Sequence, residues 1–199
     1  MITLIGDVHG KYRRYHEIIR EKERYPYTLQ VGDFGFNYDT LLNVDPNHHV
    51  FMPGNHDNYD VLYDVPNCIG DYGFKSLNGV DFFFYRGAYS IDRDLRTIGI
   101  DWWEKEELSL QEFENAKEIY KDVKPDIMIS HDCPQFVSFE LLGPNQKIYQ
   151  NMTAWALSEL YNIHQPKYWF FGHWHISKKI QHGLTTFICL DELETYNLA

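Results

Sequence analysis

The sequence predicts an α/β fold with mixed β-sheets. Three observations predict it. Short apolar runs that end in Gly-rich polar turns recur along the chain, helical patterns separate several of them, and two tight turns fold neighbouring runs back as hairpins.

Ile2 to Ile5 reads as a buried strand that runs into Gly6-Asp7-Val8-His9-Gly10. A helical pattern follows from about Lys11 to Glu23. Thr28 to Val31 is the next strand, ending in Gly32-Asp33, and Val50 to Met52 the third, ending in Pro53-Gly54-Asn55-His56-Asp57. Phe74 to Leu77 and Val80 to Tyr85 flank Asn78-Gly79, the strongest short hairpin signal. Ser109, with Glu112 three residues on, is a capping-box signature and opens a helix that ends before Pro125. Ile127 to Ile129 runs into Ser130-His131-Asp132. A further helix spans about Thr153 to Asn162 and stops before Pro166; Tyr168 to Phe171 then runs into Gly172-His173-Trp174-His175. Ser177 to Gln181 and Thr185 to Leu190 flank His182-Gly183 as a second hairpin. The hairpins exclude a purely parallel sheet, and two sheets packed together with helices outside use this inventory well.

The 199 residues suit one domain, 1–199, with one core. A net charge of −11 offers no broad cationic face, so long duplex nucleic acid is not an expected partner. A small anionic substrate remains compatible, because bound divalent cations reverse the local field. The three cysteines, Cys68, Cys133 and Cys189, have no C-x-x-C spacing, which argues against a disulfide framework or thiolate zinc site and for a reducing cytoplasm. The opening MITLIGDVHG does not read as a signal peptide, and no run approaches the roughly 18 apolar residues of a membrane span.

In open α/β sheets, ligands sit beyond the carboxyl ends of the strands. Five polar clusters fall at such ends and supply Asp7 and His9, Asp33, Asn55 beside His56, His131, and His173 with His175. Residues two apart in an extended segment point to one side, so Asp7 and His9 can reach one ion, as can His173 and His175. A slight twist would aim the latter two at neighbouring ions. Carboxylate, imidazole and amide donors suit manganese, iron, zinc or nickel. A lone Gly-Asp is a common turn; five clusters in order, with complementary ligand types, point to a metal site.

The ordered set GDVHG, GD, GNHD, SHD and GHWH resembles the calcineurin-like metallophosphoesterase superfamily, whose motifs run GD-x-H, GD, GNH[DE], H and GH-x-H. The resemblance covers residues 6–175. It implies a four-layer α/β sandwich, with two mixed β-sheets flanked by helices. It also implies two divalent metal ions, manganese expected first. By the same resemblance Asp7, His9, Asp33 and His175 hold one ion, Asp33, Asn55, His131 and His173 hold the other, and Asp33 bridges them. His56 faces the substrate.

The expected reaction is hydrolysis of a phosphate mono- or diester on a small substrate, by attack of a metal-bridging hydroxide. His56 is the candidate proton donor to the leaving group, Asp57 the candidate to orient it or else to cap the next turn, and Arg86 the candidate phosphate ligand, with Arg93 second, a surface ion pair with a nearby acid being the alternative for either arginine. A nuclease or 2′,3′-cyclic nucleotide phosphodiesterase is the alternative within this chemistry, and a catalytically dead interaction module the alternative outside it. Protein Ser/Thr phosphatases of the superfamily continue the second motif as GD-x-V-D-R-G. Here Phe36 and Asn37 stand where that Asp and Arg would be, which argues against dedicated protein phosphatase activity.

Overall fold

Phe82, Phe83, Phe84 and Tyr85 follow one another in a single strand, and all four are buried. Successive side chains in a strand point to opposite faces, so this strand has to be covered on both sides. That requirement sets the layering of the whole molecule. The structure is a computed structural model and describes residues 1–21, 24–143 and 151–198.

One sheet holds β1 (Ile2–Ile5), β2 (Thr28–Gln30), β3 (His49–Phe51) and β10 (Thr195–Leu198), in the order β10-β1-β2-β3. β1, β2 and β3 are parallel, and β10 closes the edge antiparallel to β1. The other sheet holds β4 (Tyr72–Leu77), β5 (Val80–Tyr85), β6 (Ile127–Ser130), β7 (Tyr168–Phe171), β8 (Lys178–His182) and β9 (Thr185–Cys189), in the order β4-β5-β6-β7-β9-β8. Its four central strands are parallel, with an antiparallel hairpin partner at each edge. In the first hairpin Asn78 and Gly79 both take positive φ, 49° and 76°, as a type I′ turn requires.

The helices are α1 (Tyr12–Arg20), α2 (Leu110–Val123), α3 (Gln135–Leu142) and α4 (Met152–Ile163). Apolar side chains sort into three layers. Leu4, Leu29, Phe82, Phe84, Ile129, Phe170 and Ile188 fill the space between the sheets. Phe83, Tyr85, Trp169 and Phe187 face the other way, onto Phe113 and Tyr120 of α2, Val137 of α3 and Leu157 of α4. Ile5 and Phe51 turn outward against Tyr15, Ile18 and Ile19 of α1. The result is the expected four-layer sandwich, two mixed sheets with helices outside.

Ser109 caps α2 in the full reciprocal box with Glu112, as its sequence predicts. α1 ends earlier than expected, at Arg20, where the Glu21 N–H turns back to Ile18 O; residues 22 and 23, the expected end, lie outside the described residues. Two elements were not expected. α3 follows Pro134 without a side-chain cap and lacks a clear polar face. β10 is four mostly polar residues, held as an edge by β1 and by Thr3 Oγ1 donating to Asn197 Oδ1 at 2.8 Å. Among the described residues no helix is long and apolar enough to cross a membrane, and the three cysteines are free.

Phe170 is fully buried between the sheets. Phe170→Ala is expected to lower unfolding free energy by about 3–5 kcal/mol through lost burial and a residual cavity, measured by urea denaturation.

Candidate metal centre

Five parallel strands, three of one sheet and two of the other, deliver their carboxyl ends to one place. β1 leads to Asp7 and His9, β2 to Asp33, β3 to Asn55, β6 to His131, and β7 to His173 and His175. Backbone and side-chain bonds stitch these ends across the sheets. His131 of the larger sheet sets its Nδ1 2.9 Å from Val31 O of the smaller one, the Gly172 N–H donates to His131 O at 3.0 Å, and the His173 N–H donates to Asp7 Oδ2 at 2.9 Å. Asp33 O accepts from the N–H groups of Val8 and His9. Asp132 Oδ1 accepts from Trp174 Nε1 at 2.9 Å and so ties the fourth cluster to the fifth.

The motif glycines admit the carboxylates. A Cβ on Gly172 would run into Asp7 Oδ1, and one on Gly54 into the Asp33 side chain and backbone, with His131 Nε2 at 2.7 Å. Their role is close approach.

Two donor groups result: Asp7, His9 and His175, and Asp33, His131 and His173, the donor atoms within each group lying within 4.8 Å of one another. Asp33 faces both. Its Oδ1 is 3.2 Å from His131 Nε2, and its Oδ2 is 3.5 Å from His9 Nε2. Asn55 Oδ1 lies 3.2 Å from His131 Nε2, adding an amide oxygen to the second group. His175 Nε2 sits 3.1 Å from Asp7 Oδ2 and 2.8 Å from His9 Nε2. All seven side chains expected to be ligands are therefore brought together, in two groups with Asp33 between them.

The backbone is bent to do this. Seven non-glycine described residues have positive φ, and four of them are His9 (45°), Asp33 (57°), His173 (64°) and His175 (49°). Left-handed backbone costs a side-chain-bearing residue roughly 1–2 kcal/mol. Such strain gathered on one constellation marks a functional site rather than four coincidental turns.

The electrostatics make the same point. Asp7 and Asp33 are buried, 0% and 1% exposed, and burial opposes their charge. Neighbouring imidazoles nevertheless hold both carboxyls below the usual range, His175 and His9 at Asp7, His131 at Asp33. In return His131 is pushed up to about 10, chiefly by Asp33 against its own burial, and His175 is raised by its bond to Asp7. The carboxylates demand positive charge that protons on imidazole supply when no cation does. Divalent cations would satisfy the same demand, and the oxygen and nitrogen donors fit them.

The cleft over these groups, about 510 Å³, is also lined by His56, Asp92, Arg96, Trp174 and Glu192. His56 stands where substrate would meet the donors, its ring 5.0 Å from that of His9. Arg96 lies against it, with Nη2 2.7 Å from Nε2 and Nη1 3.2 Å from Nδ1, and is braced by Asp92 at 2.8 Å. Burial, and then Arg96 against the opposing pull of Asp33, lower His56 to about 4, so the expected proton donor rests neutral.

Three expected roles are corrected by placement. Asp57 does not orient His56. It is buried, and its oxygens accept from the N–H groups of Gly54 (2.8 Å), Gly35 (3.1 Å) and Phe34 (3.4 Å) and from the Tyr38 hydroxyl (3.0 Å), pinning the second cluster to the third. Arg86 does not reach the cleft. It is 2% exposed, paired with Asp71, packed over the Tyr59 ring at 4.6 Å, and donates to Lys105 O at 2.5 Å. Arg93 stacks on Tyr89 at 4.6 Å. The cleft's arginine is Arg96, which sequence reading missed because it lies in no motif; its signal was position, in the segment that follows β5.

Residues 1–177 match the family described as calcineurin-like phosphoesterase. A lariat debranching enzyme of Entamoeba histolytica is 23% identical, over 96% of this chain and 68% of that protein. Among solved structures, a Thermus thermophilus protein superposes with a TM-score of 0.56 at 11% identity, over 96% of this chain and 90% of its own. The phosphopantetheinyl hydrolase of Mycobacterium tuberculosis does so at 0.54 and 14% identity, over 96% and 89%. The last two are likenesses of fold.

A pH dependence follows for the metal-stripped protein. The folded pKa of His131, about 10, lies above its ordinary 6.5, so the Asp33–His131 pair stabilises fully below about pH 6.5 and loses that contribution as pH rises through 10. Asp57, raised by burial to about 7, titrates below that upper range. Melting temperature followed by circular dichroism after chelation is expected to fall between pH 7.5 and 10. Asp33→Asn should flatten that fall; an equal slope in both proteins contradicts the pairing.

Proposed function

The chain belongs to the calcineurin-like phosphoesterase family, and from that membership we propose that it is a binuclear metal-dependent phosphoesterase that hydrolyses a mono- or diester of a small phosphorylated substrate. The observation that carries this reading is convergence: seven donor side chains from five strand ends form two groups, and each oxygen of Asp33 faces one of them. The family takes divalent metals, and the donor set here is imidazole, carboxylate and amide, without thiolate. Manganese is our first assignment, with iron, zinc and nickel next.

Asp7, His9, Asp33 and His175 would hold one ion, and Asp33, Asn55, His131 and His173 the other. Such a pair supplies Lewis acidity that makes a water nucleophilic near neutral pH and neutralises charge on phosphate. The remaining work belongs to the chain. Arg96 lines the cleft, and its guanidinium, held against His56 and Asp92, is the fork that would turn to two phosphate oxygens. His56 stands between Arg96 and the donor groups. An arriving phosphate anion would raise its pKa towards neutrality, so that it can give a proton to the leaving oxygen. Phe36 and Asn37 leave no counterpart of the protein-phosphatase Asp-Arg pair, which favours small esters over phosphoproteins.

A dead interaction module would be marked by lost ligands, and none is lost. A panel of phosphomonoesters, bis-aryl phosphates, 2′,3′-cyclic nucleotides, a lariat and phosphopeptides, each with and without Mn(II), tests the reading. Turnover of the small esters only with metal is expected; a protein that binds metal yet turns over none of them overturns it.

Three variants test the roles. Asp33→Asn is expected to lower the content of both ions together, measured by elemental analysis. His56→Ala should keep both ions and lose about 10²–10⁴ in kcat. Arg96→Ala, which removes a charge-assisted donor, should lower kcat/KM by about 10- to 100-fold with metal content unchanged.

A further inference from the structure

Glu106 is an acid buried to 2% exposure, and Ser90, itself 1% exposed, donates to both of its oxygens. Ser90 N–H donates to Oε1 at 2.9 Å, and Ser90 Oγ donates to Oε2 at 2.6 Å. A buried carboxylate is costly to keep, and here both oxygens act as acceptors. Arg86 fixes the backbone that carries it, donating to Lys105 O at 2.5 Å and reaching Glu106 O at 3.5 Å.

The hydroxyl of Ser90 has one proton. Since a carboxylate can only accept, that proton points to Glu106, and the serine oxygen is left to accept. It accepts from Asn55 Nδ2 at 3.0 Å. An amide whose NH₂ is held on one side must present its oxygen on the other, and Asn55 Oδ1 faces His131 in the second donor group. We propose that Glu106 and Ser90 are positioning residues that set which end of the Asn55 amide meets the second metal ion. This inference rests on the binuclear reading above and assigns the sense of one ligand within it. Outer partners of this kind typically change metal affinity by about 10- to 100-fold.

The test exploits the direction of the chain of bonds. In Glu106→Gln the side-chain NH₂ can donate to Ser90 Oγ, which frees the serine proton to point at Asn55 and favours the wrong end of the amide towards the ion. Adding Asn55→Asp restores an oxygen at both ends and accepts the reversed serine proton. Wild type, Glu106→Gln, Ser90→Ala and the double variant Glu106→Gln/Asn55→Asp are titrated with Mn(II) by calorimetry, and the spin-coupled pair is followed by electron paramagnetic resonance.

Glu106→Gln and Ser90→Ala are expected to bind one ion with wild-type affinity and the second at least tenfold more weakly, losing the coupled-pair signal. The double variant is expected to recover it. Two wild-type affinities in both single variants overturn the proposal while leaving the binuclear reading intact. Equal weakening of both ions, or no rescue in a double variant that keeps its circular dichroism spectrum, reduces the pair to general support of the fold and also overturns it. A wild-type chain that takes up no pair of ions overturns the site reading itself.

Discussion

Two carboxylates buried side by side dominate this molecule. Asp7 and Asp33 sit where two sheets end, with essentially no access to solvent. Neither is tolerable there without concentrated positive charge. Five imidazoles crowd the same place, and at four of them the proton affinity, raised at His131 and His175 and lowered at His56 and His173, records the contest between burial and the carboxylates. The sandwich brings together donors that no single sheet edge would hold: Asp7, His9, Asp33 and Asn55 arrive from one sheet, and His131, His173 and His175 from the other.

Holding them requires a framework stiffer than the loops alone. The left-handed backbone at His9, Asp33, His173 and His175 is unfavourable locally and persists because its neighbours over-determine it. Asp57, buried under the turns, collects three backbone N–H groups and a tyrosine hydroxyl and makes the second and third clusters one unit. Asp132 does the same for the fourth and fifth through Trp174. Three apolar layers of large rings lie beneath, so strain at the rim is borne by a densely packed interior.

Much of this was legible in the sequence, and the limits have physical causes. Strands with buried faces announce themselves by apolar runs, α2 by its capping box, and the first hairpin by Asn78-Gly79. The ligands were legible because metal chemistry constrains both residue type and spacing. α3 escaped because its residues are apolar nearly all round, and β10 because Thr195, Tyr196 and Asn197 carry no strand-like apolar run. Arg86 misled because an arginine at a strand end looks the same whether it turns to the cleft or to Asp71 beneath the surface. Arg96 and Glu106 both lie in the irregular segment between β5 and α2, where no periodicity shows which way a side chain points.

The pairing of β1 with β10 has a consequence for how the molecule is made. Gly6 N–H bonds to Glu194 O, Leu193 N–H bonds to Asp7 O, and Ile2 to Ile5 lie in register with Leu198 to Thr195. During synthesis Leu193 and Glu194, the outer neighbours of Asp7, are polymerised some 190 residues after it, on the order of 10–40 s later at ordinary elongation rates. Throughout that interval the nascent β1 has a free edge, the kind of surface that recruits chaperones or a neighbouring polypeptide. The first motif of the site is therefore completed only once the chain has travelled through both sheets and come back to β1.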